Sequence, residues 1–93
     1  MRILLVEDDN QTSAFIAKGL REAGHAVDHA ADGKQGLFLA STEPFDVIVL
    51  DRMLPGLDGL AVLRTLRGAG NRTPVLVLTA LGDADAVIFS EEL

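Results

Sequence analysis

Acidic side chains and one hydroxyl stand where short apolar runs stop. Ile3-Leu4-Leu5-Val6 runs into Glu7-Asp8-Asp9, Val47-Ile48-Val49-Leu50 into Asp51, and Val75-Leu76-Val77-Leu78 into Thr79. An aspartate after a greasy strand is either a turn former or a chemical group held at the rim of a sheet. If these strand ends meet, Glu7, Asp8 and Asp51 make one pocket of mutually repelling carboxylates. A divalent cation relieves that repulsion, and hard oxygen donors suit Mg²⁺. The cation would also screen Asp51 from an anionic phosphodonor, leaving a carboxylate able to act as nucleophile and form an acyl phosphate. Thr79 would offer its hydroxyl to an oxygen of the transferring group.

Each residue taken alone has a plainer reading. Acidic residues at strand ends commonly cap helices or form turns. That reading is favoured for Asp9, at the start of a helix, and for Asp58 in the "PGLDG" turn. Asp51 alone would be a fair turn residue, and Thr79 alone a capping hydroxyl. The agreement of three separate strand ends favours the pocket. His25 and His29 flank an edge strand and read as surface residues far from it. Asp28, Asp32 and Glu43 read as solvated charge.

The elements that would position these groups follow from periodicity. Ile3–Val6, Ala26–Ala30, Asp46–Leu50 and Val75–Leu78 read as strands. Helices are expected over Gln11–Ala23, with Ala14, Phe15, Lys18 and Leu20 at helical spacing, and over Lys34–Ser41, with Leu37, Phe38 and Ala40 inward. A third is expected over Asp58–Arg67, with Leu60, Leu63 and Leu66 on one face. The order β-α-β-α-β-α-β implies an α/β fold, a parallel sheet with right-handed crossovers. In such a sheet ligands sit outside the carboxyl ends of the strands.

Composition narrows the classes. The chain has 93 residues, 48% of them hydrophobic, with net charge −6, no cysteine, and no Trp or Tyr. That is one small domain with a real core and no disulfide or thiolate metal site. Eight basic residues against fourteen acidic ones make direct nucleic-acid binding by this chain a poor expectation. No apolar run approaches a membrane span and no signal peptide is evident, so no membrane partner and a cytoplasmic location are expected.

At this point the sequence resembles the receiver domain of bacterial two-component response regulators. The matching stretches are "ILLVEDD" (Ile3–Asp9), "GHAVDHAADGKQGL" (Gly24–Leu37), "DVIVLDRMLPGLDG" (Asp46–Gly59) and "TPVLVLTA" (Thr73–Ala80). Three motifs in order make the resemblance specific, and it covers roughly Met1 to Asp83. The wording is most similar to regulators with a winged-helix DNA-binding output domain. The resemblance implies a flavodoxin-like doubly wound parallel sheet with strand order 2-1-3-4. It implies that Asp51 is the phosphoacceptor. Asp8 would bind Mg²⁺ directly, Glu7 directly or through water, and Met53 through its backbone carbonyl. Thr79 would be the switch hydroxyl, with Ala80 leaving room for it and Pro55 and Gly56 shaping the loop. A sensor histidine kinase would be the phosphodonor. Such a domain is a signalling module rather than an enzyme, apart from catalysing its own phosphorylation and dephosphorylation.

The tail departs from the pattern. No lysine follows Lys34, so the family's Lys-Pro pair and its fifth strand have no counterpart, and "FSEEL" resembles the start of the family's last helix. The expected organisation is a single receiver domain over residues 1–93, truncated or internally deleted after about residue 85. A parallel crossover needs a dozen or more residues, and only Ala80–Asp85 precede "AVIF". The family's fifth strand is therefore expected to be missing. A helix from about Ala84 to Leu93, capped by Asp83, is preferred over "AVIF" pairing with a neighbouring chain, because Ala84, Val87 and Ile88 follow helical spacing. Either leaves apolar surface uncovered, which predicts a homodimer or larger assembly through strand four and the tail.

Two further functions compete with the phosphoacceptor. One is a phosphorylation-incompetent dimerisation or interaction module that keeps the fold, which the lost lysine favours. The other is a phosphohydrolase with an aspartate nucleophile, which is weaker. Such enzymes usually carry a second aspartate two residues on, and Met53 stands there.

Overall fold

A computed structural model describes residues 1–81 and 84–90, with side chains described through residue 78. The elements run β1 (Arg2–Val6), α1 (Asn10–Glu22), β2 (Ala26–Ala30), α2 (Gly33–Thr42), β3 (Val47–Asp51), α3 (Gly59–Gly68), β4 (Val75–Leu81) and β5 (Ala84–Ser90). The sheet order is β2-β1-β3-β4-β5. The first four strands are parallel, in the expected order 2-1-3-4.

β1 lies between β2 and β3 and is buried on both faces, which is why it carries no alternation. Leu4 and Val6 face one side with Ile48, Leu50, Val75 and Val77, where α2 contributes Ala40 and α3 contributes Val62, Leu63 and Leu66. Ile3 and Leu5 face the other side with Val27 and Val49, covered by Ala17 of α1. The two-faced burial is the doubly wound architecture. Gly36 of α2 permits close packing: a Cβ there would stand 2.8 Å from the Val6 methyls.

Local chemistry sets the helix starts. Asp9 accepts from the amides of Gln11 and Thr12, Asp32 from Gln35, and Asp58 from Ala61, each at an N-cap. The capping roles expected of Asp9 and Asp58 are thus present, and Asp32, exposed as expected, caps α2 as well. Asp28 and Glu43 differ from expectation: both pair with the Arg2 guanidinium at 2.7 Å. That guanidinium lies 4.6 Å from the Phe45 ring centroid, so one arginine ties β1 to β2 and to the α2–β3 connection.

Of the residues expected inward on α2, Ala40 is buried and Leu37 packs against the core, while Phe38 does not. Phe15 is 81% exposed and Phe38 65% exposed. The buried positions are Ser13 and Ala17 in α1, and Gly33, Gly36 and Ala40 in α2. Small residues face the sheet because the helices sit close to it, and the aromatic rings project outward. In α3 the buried set is Val62, Leu63 and Leu66, with Leu60 half-buried.

The tail is the main correction. Ala84–Ser90 is neither the expected helix nor a strand given to a neighbouring chain. It returns as a hairpin, pairing antiparallel with β4 from Val75↔Ser90 to Leu81↔Ala84. The length argument against a parallel crossover does not apply to an antiparallel return, which needs only a short turn. A continuous ladder satisfies every backbone group along the β4 edge, and that outweighs the helical spacing of three apolar residues. The expected cap at Asp83 lies outside the described residues.

Candidate functional site

Parallel pairing of β1 with β3 places Val6 opposite Leu50, so the residues that follow them emerge side by side. Glu7 is buried, Asp51 is half-buried and Asp8 is exposed. One carboxylate oxygen from each lies within 4.8 Å of the others. The three acidic residues picked out in the sequence therefore do meet. Hard oxygen donors graded from buried to exposed, at the mouth of a cleft, fit a divalent cation such as Mg²⁺.

Backbone contacts fix the cluster. The Asp9 amide donates to Glu7 Oε1 at 3.0 Å, and the Met53 amide donates to Asp51 Oδ1 at 3.0 Å. Glu7 is held by its main chain as well: its amide donates to Ala30 O at 3.0 Å. Burial pushes the Glu7 carboxyl up to about 7 against the bond from Asp9, and the neighbouring Asp51 and Asp8 carboxylates push the same way. A carboxyl so displaced stands in a surplus of negative charge that a bound cation would offset.

The loop after Asp51 is shaped by close approach. Asp58 caps α3, and the Gly59 amide donates to Arg52 O at 3.0 Å. A Cβ on Gly59 would collide with Asp51 O and stand 2.9 Å from Arg52 Cα, so only glycine lets α3 start directly against the end of β3. Gly56 has φ 75, which favours glycine and supports the loop-shaping role expected of it. Pro55 lines the cleft with Asp8, Arg52, Met53, Leu54, Asp58 and Leu60.

Met53 is thus at the site through its amide, with its side chain 73% exposed. Thr79 and Ala80 lie in β4, opposite Ala86 and Asp85; the hydroxyl role of Thr79 falls on a side chain outside the described ones. His29 differs from expectation. Its ring Nε2 lies 2.7 Å from Glu7 O, so it braces the chain at the site rather than standing far from it. His25 is remote, its Nδ1 3.1 Å from the N-terminal nitrogen. Two contributors escaped the sequence reading, His29 and Gly59. The parallel register Leu5↔His29 was the signal for the first. A glycine immediately after a helix cap was the signal for the second.

Comparison with known proteins agrees with this geometry. The family model described as "Response regulator receiver domain" matches residues 3–92. The probable transcriptional regulatory protein SilR of Salmonella typhimurium is 48% identical over all 93 residues, which span 41% of that protein. The transcriptional activator protein IrlR of Burkholderia pseudomallei is 54% identical over 83 residues, 89% of this chain and 36% of that one. The chain thus spans about two fifths of the length of these relatives. Among solved structures, the receiver domain of the Francisella response regulator 1452 superposes with TM-score 0.84 at 41% identity, covering 89% of this chain and 69% of that chain. The receiver domain of sensor histidine kinase PA1611 from Pseudomonas aeruginosa, with a magnesium ion coordinated in its active-site cleft, gives 0.81 at 40% identity over 85% of this chain and 66% of its own. No described helix is long and apolar enough to cross a membrane. With its sheet order, its acidic rim and a family match over nearly its whole length, this chain belongs to the response regulator receiver domains.

Proposed function

We propose that the chain is the phosphoacceptor module of a two-component response regulator and receives its phosphoryl group on Asp51. The observation that carries the reading is the meeting of the Glu7, Asp8 and Asp51 oxygens within 4.8 Å. Glu7, Asp8 and Asp51 hold Mg²⁺ through their carboxylates, and Met53 adds its backbone carbonyl. When bound, the cation offsets the carboxylate charge and orients the donor's phosphoryl oxygens. An Asp51 oxygen attacks phosphorus, the bond from phosphorus to the donor breaks, and the leaving group departs with its electron pair. Thr79 hydrogen-bonds the transferred group. A sensor histidine kinase supplies that group in the cytoplasm, and water later removes it with the help of the same residues. In a longer chain the module controls a DNA-binding transcriptional output. The whole nucleophile and its neighbours are retained, so the interaction-only reading is not favoured.

Mass spectrometry after incubation with Mg²⁺ and acetyl phosphate tests this. One phosphoryl increment is expected, on the peptide containing Asp51, and Asp51→Asn is expected to abolish it. An adduct mapped to another residue, or none in the unaltered chain, overturns the assignment.

The partner surface follows from the sheet. β5 stands at one end of it, so the open edge expected of strand four passes to β5, a ready template for a second strand. Leu76 and Leu78 on the α1 side remain half-buried. Both favour a homodimer or larger assembly through strand four and the tail. Light scattering at micromolar concentration is expected to give at least twice the chain mass; a monodisperse monomer refutes the assembly.

A further inference from the structure

The cleft beside Asp51 is short of positive charge. Glu7, Asp8 and Asp51 cluster beside it, and Asp8 and Asp58 line it. A divalent cation offsets two of these charges, while phosphorylation replaces the single charge of Asp51 with close to two on the phosphoryl group. A cationic side chain at the cleft would offset the charge that the phosphoryl group adds.

One cationic side chain lines this cleft among the described residues, and it is Arg52. Its root is rigid: the Arg52 amide donates to Leu78 O at 2.9 Å, and its carbonyl accepts from the Gly59 amide at 3.0 Å. Its tip is uncommitted. The side chain is exposed, and among the described residues no hydrogen bond or ion pair engages the guanidinium, in contrast to Arg2, Arg21 and Arg67. Lys34, the other cation at this end of the sheet, stands at the start of α2 and does not line the cleft. A rigid root next to the nucleophile with a free, planar, five-donor tip is suited to a bidentate grip on phosphate oxygens.

We infer that Arg52 is the phosphoryl-contacting cation of this site: its guanidinium swings over the cleft and holds the group on Asp51. The role rests on the phosphoacceptor reading. It gives a role to an arginine that lines the cleft beside an acidic cluster with no partner among the described residues.

The test compares the unaltered chain with Arg52→Ala and Arg52→Lys. Each is incubated with Mg²⁺ and acetyl phosphate, and the Asp51 adduct is followed by intact-mass spectrometry. Mg²⁺ binding without donor is followed from the NMR amide signals of Met53 and Gly59. For Arg52→Ala the expected result is a steady-state adduct reduced at least fivefold, with Mg²⁺ bound as tightly as before or about twofold tighter, because a competing cation has gone. Arg52→Lys is expected to recover part of the adduct. Weaker Mg²⁺ binding in Arg52→Ala would show a structural effect on the cluster and overturn the role. An undiminished adduct in Arg52→Ala would overturn it too, leaving the phosphoacceptor reading intact. No adduct even in the unaltered chain would overturn both.

Discussion

Mg²⁺ binding to this chain is expected to strengthen about tenfold between pH 6 and pH 8. The cause is Glu7, whose carboxyl burial and its acidic neighbours push up to about 7. A cation that needs the Glu7 carboxylate must displace a proton from it below that value, so each unit of pH below the midpoint costs up to a factor of ten in apparent affinity. A site of few carboxylates has weak affinity to begin with, in the millimolar range or about 4 kcal/mol. The dependence is therefore large enough to decide whether the site is filled. Titrations read from the Met53 and Gly59 amide signals at pH 6, 7 and 8 measure it directly. Were the cluster's carboxyls all in their ordinary range, the affinity would be flat above pH 6, and a flat profile would refute a raised Glu7 carboxyl that the cation must deprotonate.

The fold was legible wherever an apolar run had to be covered on both sides. β1, β3 and β4 each combine four consecutive aliphatic residues with no polar partner face. No surface strand tolerates that, so a helix-flanked parallel sheet was the physical consequence. The acidic site was legible for the same reason. Once neighbouring strands are parallel, their carboxyl ends share a rim, and Glu7 and Asp51 can hardly avoid each other. The helix faces were less legible. Phe38 is expected inward, yet it is largely exposed, because α2 approaches the sheet on Gly36 and Ala40. Close packing selects small residues, and a period-based reading assigns the largest ones inward.

The tail was illegible for a different reason. Ala84, Val87 and Ile88 fit a helix at i, i+3 and i+4, and nothing local contradicts it. The decision is made by the β4 edge, a row of unpaired backbone groups that seven residues of returning chain satisfy in register. That edge is a tertiary fact. Local propensity is worth tenths of a kcal/mol per residue, and a ladder of otherwise unmade hydrogen bonds outweighs it. His29 is the same lesson at the site: its contact with Glu7 O follows from the β1–β2 register, not from any motif.

Glu7→Gln is expected to stabilise the metal-free chain at pH 8 while removing most of its affinity for Mg²⁺. The native Glu7 carboxyl sits at about 7, above its ordinary 4.5. A raised acid contributes its full stability below pH 4.5, where it is protonated in both the folded and unfolded chain. That contribution is lost as pH rises toward 7, because the buried group must then ionise beside Asp51 and Asp8. The unaltered chain is therefore expected to lose on the order of 1–3 kcal/mol between pH 4.5 and pH 8 from this group. Glutamine is neutral throughout, and its carbonyl oxygen can keep the bond from the Asp9 amide now made at 3.0 Å. Denaturant unfolding without metal should show the variant ahead at pH 8 and level with the unaltered chain near pH 4.5. Added Mg²⁺ should reverse the order at pH 8, since only the unaltered chain gains by binding it. A variant that is less stable at both pH values would mean that Glu7 serves the core through its packing. The strain of holding three carboxylates together would then have to be sought in Asp51.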